Sequence, residues 1–165
     1  MIYGKLHYVA GWKGNVEMSA RFNLMKENPE VYALLGKLDT LGRESSIPKK
    51  LQELIKVYAS SLNHCAFCID MHTKEALENG ETVQRVIGVN AWREAPFYTD
   101  KERVVLELVE EVTFIHQHGV SDKVYVELEK YYNEKEIGEL YLLITTINAY
   151  NRLGVMSRLQ PKADK

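Results

Sequence analysis

Cys65, Cys68 and His72 stand at intervals of three and four residues. On an α-helix that spacing puts all three side chains on one face. Cys65 falls at the start of such a helix, because the preceding apolar period ends around Leu62 and Asn63. Unpaired N–H groups and the positive end of the helix dipole stabilise a thiolate there. An imidazole one turn from Cys68 can take its proton, directly or through a water. Thiolate is the form that attacks an O–O bond or a disulfide. A sulfenic acid on one cysteine can condense with the other, and the resulting internal disulfide needs an outside dithiol to reduce it.

The dipole favours Cys65 as the attacking sulfur, whereas the nearby base favours Cys68. Residue physics leaves the choice open, leaning to Cys68. Other readings of the pair are weaker. A thioredoxin-like motif needs a βαβ context, and no strand precedes this one. Zinc could take Cys65, Cys68 and His72, with His64 as a fourth ligand. No second cluster completes the tetrahedron, however, and His64 points elsewhere on a helix. Inert core cysteines do not account for His72 at the matching offset.

The rest of the chain must position this stripe. Its 165 residues, with 45% hydrophobic and 27% charged, suffice for one globular core. A net charge of −2 without a basic stripe argues against nucleic acid and anionic membrane as partners. No run is long and apolar enough to span a bilayer. Residues 1–8 lack an apolar signal core, so a reducing cytoplasm is the expected compartment.

Residues 1–17 carry aromatics and glycines without a helical period, and read as an N-terminal extension, native or added. Residues 18–165 read as one all-α domain of about six to eight helices. Pro29 opens a segment in which Val31, Leu34, Leu35 and Leu38 follow at helical spacing, closed by Gly42. Pro48 opens the next, with Leu51, Leu54, Ile55, Tyr58 and Leu62 on its inner face. The Cys-x-x-Cys helix runs from about Cys65 to Glu78, and a short helix starts at Thr82. Thr99 or Asp100 caps a long helix whose apolar stripe ends at Ile115, with Gly119 as its stop. Ser121 caps another, and the last runs from about Asn133 to Met156. Asn148 and Asn151 inside it require hydrogen-bond partners if buried. Trp92 and Tyr98 are read as packing residues, and His116 and His118 as surface residues at a helix end.

The segments Leu51–Ile55 and Asn63–Ala76 together resemble the alkylhydroperoxidase D (AhpD)-like branch of the carboxymuconolactone decarboxylase-like family. The family pattern is a glutamate, a Cys-x-x-Cys twelve residues on, and a histidine four after the second cysteine. Glu53, Cys65, Cys68 and His72 fit it without a gap. The likeness continues through 80–82, 91–94, 97–99 and 147–152, and so covers nearly everything from Met18 onward. It implies an all-α fold assembled as trimers or hexamers, and a hydroperoxide reductase cycle without metal or cofactor. In that cycle Cys68 is the peroxidatic thiol, Cys65 resolves, and Glu53 with His72 relays the proton. The reductant it implies is a separate dihydrolipoyl-bearing or thioredoxin-like protein.

On residue type alone, Glu53 among Lys49, Lys50 and Lys56 reads as a solvated surface charge. Its role in the relay rests on the resemblance. One departure stands out: the founding type carries a histidine between its cysteines, and this chain has Ala66 and Phe67. The wider family's lactone decarboxylases lack the dithiol, which disfavours decarboxylation. Two other functions remain as alternatives: a redox sensor or disulfide-exchange protein with little turnover, and a non-enzymatic oligomeric domain with an idle motif.

Overall fold

The computed structural model describes residues 20–163, and every regular element among them is helical. The proposed extension, residues 1–17, lies outside that range. The chain enters through a single turn, α1 (Leu24–Glu27), whose N-cap Asn23 accepts from the Lys26 N–H. Pro29 then takes the first position of α2 (Pro29–Arg43), where a missing N–H costs nothing.

The central pair is α3 (Lys49–Leu62) and α4 (Ala66–Glu78). A Schellman turn joins them: the Cys65 N–H donates to the Ser60 carbonyl and the His64 N–H to that of Ser61. His64 occupies the left-handed position usually given to glycine, at φ 55°. The turn is short enough that α4 folds straight back along α3. Cys65 becomes the N-cap of α4, matching the expected helix start.

Thr82 caps α5 (Val83–Gly88), and a 3-10 turn follows over Val89–Ala91. A capping box of Thr99 and Glu102 opens α6 (Asp100–Thr113). One turn, α7 (Ile115–His118), and the Ser121-capped α8 (Asp122–Leu128) lead to α9 (Glu134–Ser157), opened by a second capping box of Asn133 and Glu136. Among the described residues, seven longer helices and two single-turn ones thus make up the all-α domain.

α3 is the axis, with α4, α6 and α9 packed around it. Every residue from Leu51 to Ser60 is buried, including Gln52, Glu53 and Lys56. Fully buried Leu54, Ile55, Leu106, Leu108, Leu140 and Ile144 fill the shared interior. Each contributes about 1.5–3 kcal/mol through burial. The two asparagines of α9 find partners, as expected: Asn148 Nδ2 donates to Thr113 Oγ1 of α6, and Asn151 lies 2.9 Å from the Ser60 hydroxyl of α3. Trp92 packs in the core with its indole N–H donating to Glu110, and Tyr98 is buried as well.

Val31, Leu34 and Leu38 of α2, which the sequence marks only as a helical period, are 50%, 61% and 41% exposed, with Leu41 continuing the stripe. The inner face of α2 carries Tyr32, Leu35, Asp39, Gly42 and Arg43 instead. Gly42 permits close approach to α9, since a Cβ there would meet Leu143 at 3.0 Å. Hydrophobic period located the stripe but not its direction, because the inner face presents Asp39 and Arg43 to a cavity. One expectation needs correction. The long helix stops at Thr113, short of Gly119: Phe114 leaves helical geometry, and Ile115 beyond it is exposed.

Candidate active site

Cys65 and Cys68 are joined as a disulfide on the first turn of α4. Both are buried, but they differ in what they face. Cys68, together with Phe67, Met71 and His72 of the same helix, lines a cavity of about 430 Å³. Ile147, Tyr150 and Leu153 of α9 form another wall, and Tyr32, Asp39 and Arg43 of α2 a third. Phe22 and Leu24 close one side, where the Arg21 N–H donates to the Ser157 carbonyl and ties the N-terminal segment to the end of α9. Cys65 is turned instead towards Gly154 of α9. A Cβ on Gly154 would lie 2.9 Å from the Cys65 sulfur and 3.5 Å from that of Cys68.

Glycine therefore lets α9 pass directly over the disulfide. Gly154→Ala gains helix propensity worth up to about 1 kcal/mol. The overpacking it forces costs about 1–3 kcal/mol. The expected result is a net destabilisation of the oxidised protein by about 1–2 kcal/mol in urea unfolding, where a helix glycine without such a contact would give a gain.

His72 is 3% exposed and sits one turn from Cys68. Its Nδ1 lies 3.1 Å from Glu53 Oε2 and 3.0 Å from Glu75 Oε2. Two acceptors at one ring nitrogen fix a proton there, which leaves Nε2 as the nitrogen that can exchange a proton with its surroundings. Burial opposes charge on the ring, but the hydrogen bonds to Glu53 and Glu75 outweigh it, and His72 titrates above the ordinary histidine value of 6.5. The hydrogen bond from His72 holds Glu75 down to about 2, against the cost of burial and with Arg43 assisting.

Glu53 is buried at 2% exposure, so the surface-charge reading of its residue type is overturned. Lys56, one turn along α3, is equally buried and donates to Glu53 Oε1 at 2.9 Å. On the far side, Arg43 Nη2 reaches both oxygens of Glu75 at 3.1 and 3.2 Å, and its Nε donates to Asp39 at 2.7 Å. All four expected residues, Glu53, Cys65, Cys68 and His72, thus belong to one site. Lys56, Glu75, Arg43, Asp39 and Gly154 join them without having been singled out in the sequence. A signal existed for Glu75, which is three residues from His72 on the same helix face. Lys56 gave none, because a lysine beside other lysines reads as solvated.

Glu53, His72 and Glu75 also offer ligand atoms within 4.8 Å of one another. Lys56 and Arg43 already supply positive charge to the two carboxylates, so the residues do not call for a cation. The alternative zinc set is not assembled in this state. Disulfide sulfurs are not thiolates, and His64 is exposed on the turn.

Residues 29–111 match the carboxymuconolactone decarboxylase family. The chain belongs to that family. Within it the AhpD-like branch is the fitting one, on structural likeness. The protein of unknown function ATU0492 from Agrobacterium tumefaciens, which carries a provisional AhpD antioxidant-defence assignment, superposes with a TM-score of 0.86 at 34% identity. That match covers 88% of this chain and 100% of the other. The uncharacterised protein YdfG of Bacillus subtilis (strain 168) is 38% identical over 138 residues, spanning 84% of this chain and 94% of that protein. The debrominase Bmp8 shares the fold with a TM-score of 0.72 at 22% identity, over 84% of this chain and 75% of its own. One helical frame is therefore shared with a protein named for debromination. Among the described residues, no helix is long and apolar enough to cross a membrane.

Proposed function

We propose that this AhpD-like protein is a thiol-dependent (alkyl)hydroperoxide reductase. The observation that carries the reading is the Cys65–Cys68 disulfide, whose Cys68 sulfur shares a mostly apolar cavity with the buried, carboxylate-held His72.

In the reduced enzyme, His72 stabilises the Cys68 thiolate. The thiolate attacks the terminal peroxide oxygen, the S–O bond forms as the O–O bond breaks, and the departing alkoxide takes a proton from His72 Nε2. Cys68 is left as a sulfenic acid. The Cys65 sulfur attacks it, its own proton leaves with the hydroxide as water, and the disulfide closes. An outside dithiol, dihydrolipoyl-bearing or thioredoxin-like, restores the two thiols by exchange. No metal or organic cofactor enters the cycle. Phe67 takes the place between the cysteines where the founding type has histidine, and it lines the cavity. Proton handling then falls to His72 and its partners.

The exposed stripe of Val31, Leu34, Leu38 and Leu41 supports homo-oligomeric assembly, as a trimer or hexamer. A cytoplasmic setting suits a dithiol that must be reduced after each turnover.

Free-thiol titration after limiting hydroperoxide tests the reading. The reduced chain is expected to lose both thiols per peroxide, without an intermolecular product, and to consume peroxide continuously when a dithiol is supplied. Stoichiometric oxidation without turnover on any dithiol donor would instead identify a sensor.

A further inference from the structure

Six charged or chargeable groups form one alternating row through the site: Lys56, Glu53, His72, Glu75, Arg43 and Asp39. Successive members are 2.9, 3.1, 3.0, 3.1 and 2.7 Å apart. Two neutral pairs sit at its ends. Glu53 has Lys56, both at 2% side-chain exposure, and Asp39 has Arg43. Glu75 is the carboxylate left over. The row sums to zero only when His72 carries a proton.

We infer that Glu75, backed by Arg43, is the positioning residue that keeps the His72 ring in its charged form, while Glu53 orients the ring. Glu53 also favours the charged ring, and buried Lys56 offsets part of its effect. Glu75 spans the two halves of the row: one oxygen meets His72 Nδ1, and both accept from Arg43. Its side chain is 26% exposed against 2% for Glu53, so it keeps its own charge at lower desolvation cost.

The groups that face His72 come from each helix around it. Cys68 and Glu75 lie on its own helix, Glu53 and Lys56 on α3, and Asp39 and Arg43 on α2. Tyr150 of α9 lines the same cavity, and burial raises its phenol above the ordinary value, so it stays neutral. Only the sum over these groups fixes the ring's charge. Deleting the Glu75 charge leaves the row at +1 with an imidazolium, which favours loss of the ring proton. Deleting the Arg43 charge leaves it at −1, which favours keeping it. The two substitutions therefore act in opposite directions, which a merely structural contribution would not produce.

The use of this charge rests on the proposed function, since an imidazolium beside Cys68 both stabilises the thiolate and protonates the leaving oxygen. Its existence does not. The test is to follow His72 in the reduced full-length chain by NMR across pH, alongside the pH profile of Cys68 alkylation by iodoacetamide. Glu75→Gln is expected to lower the His72 midpoint by at least about one pH unit, and Arg43→Gln to raise it. Glu75→Asp should restore most of the wild-type value. Oxidation by an organic hydroperoxide at pH 7 should slow about tenfold in Glu75→Gln.

Should Glu75→Gln not fold, Asp39→Asn is the second variant. It frees Arg43 to pair fully with Glu75 and should lower the midpoint by a smaller amount. A His72 midpoint unmoved in the folded variants, or moved in the same direction by Glu75→Gln and Arg43→Gln, overturns the inference. Opposite shifts in a protein that does not react with hydroperoxide would leave the inference standing and remove the proposed function.

Discussion

Cys68→Ser is expected to reduce the rate of oxidation by hydroperoxide by about 10³-fold or more, because the serine hydroxyl at neutral pH is not a comparable nucleophile. Cys65→Ser should behave differently. Its first oxidation step is expected to proceed near the wild-type rate, since Cys68 keeps its cavity and His72. The product stops at a sulfenic acid, which dimedone traps at one equivalent per chain, and no internal disulfide forms. Rapid mixing with a limiting organic hydroperoxide, followed by mass spectrometry, separates the two variants. The opposite pattern, with Cys65→Ser inert and Cys68→Ser trapped as sulfenic acid, would reassign the attacking sulfur. That outcome is physically meaningful, because the N-cap position of Cys65 supplies the helix dipole. The structure gives the reason to expect otherwise. Cys68 lines the cavity beside His72, whereas Cys65 is turned against the backbone of α9.

Lys56→Met carries the largest expected loss of stability. Its ammonium is 2% exposed and answers the equally buried Glu53. Removing one member of a buried ion pair leaves the other uncompensated, at a cost of about 3–5 kcal/mol. His72 still offers Glu53 a partial partner, so the lower end is expected, about 3 kcal/mol, or a fall in Tm of roughly 6–12 °C. The double variant Glu53→Gln with Lys56→Met should recover much of that loss, since neither charge is then stranded. Lys56 also opposes the His72 proton through its own charge, so Lys56→Met should move the His72 midpoint upward. Thermal unfolding of the oxidised proteins at one fixed concentration measures the first effect. A single variant as stable as the wild type would mean that this lysine escapes to solvent.

Helix positions were largely readable from local chemistry. Asn133, Ser121, Thr99 and Thr82 cap the helices they were expected to open, and Pro29 stands at a first turn. Capping is a matter of a few neighbouring residues, which is why the sequence carries it without knowledge of the fold. The face each helix presents was less readable. Val31, Leu34 and Leu38 have a clear helical period, yet they point outward while Asp39 and Arg43 point in. Period identifies a stripe, and only the neighbours decide what covers it.

By itself, then, the sequence determined the helical frame and the stripe of Cys65, Cys68 and His72, since helical spacing alone places residues three and four apart together. Resemblance added Glu53 to that stripe. Only the tertiary structure decided the charges around it. A three-residue Schellman turn folds α4 back along α3 and brings Glu53 and Lys56 against His72, and the inward face of α2 delivers Arg43 to Glu75. These partners lie 19 and 32 residues apart along the chain. Burial by several helices at once turns ordinary surface residue types into a closed row of paired charges, and no local pattern encodes that.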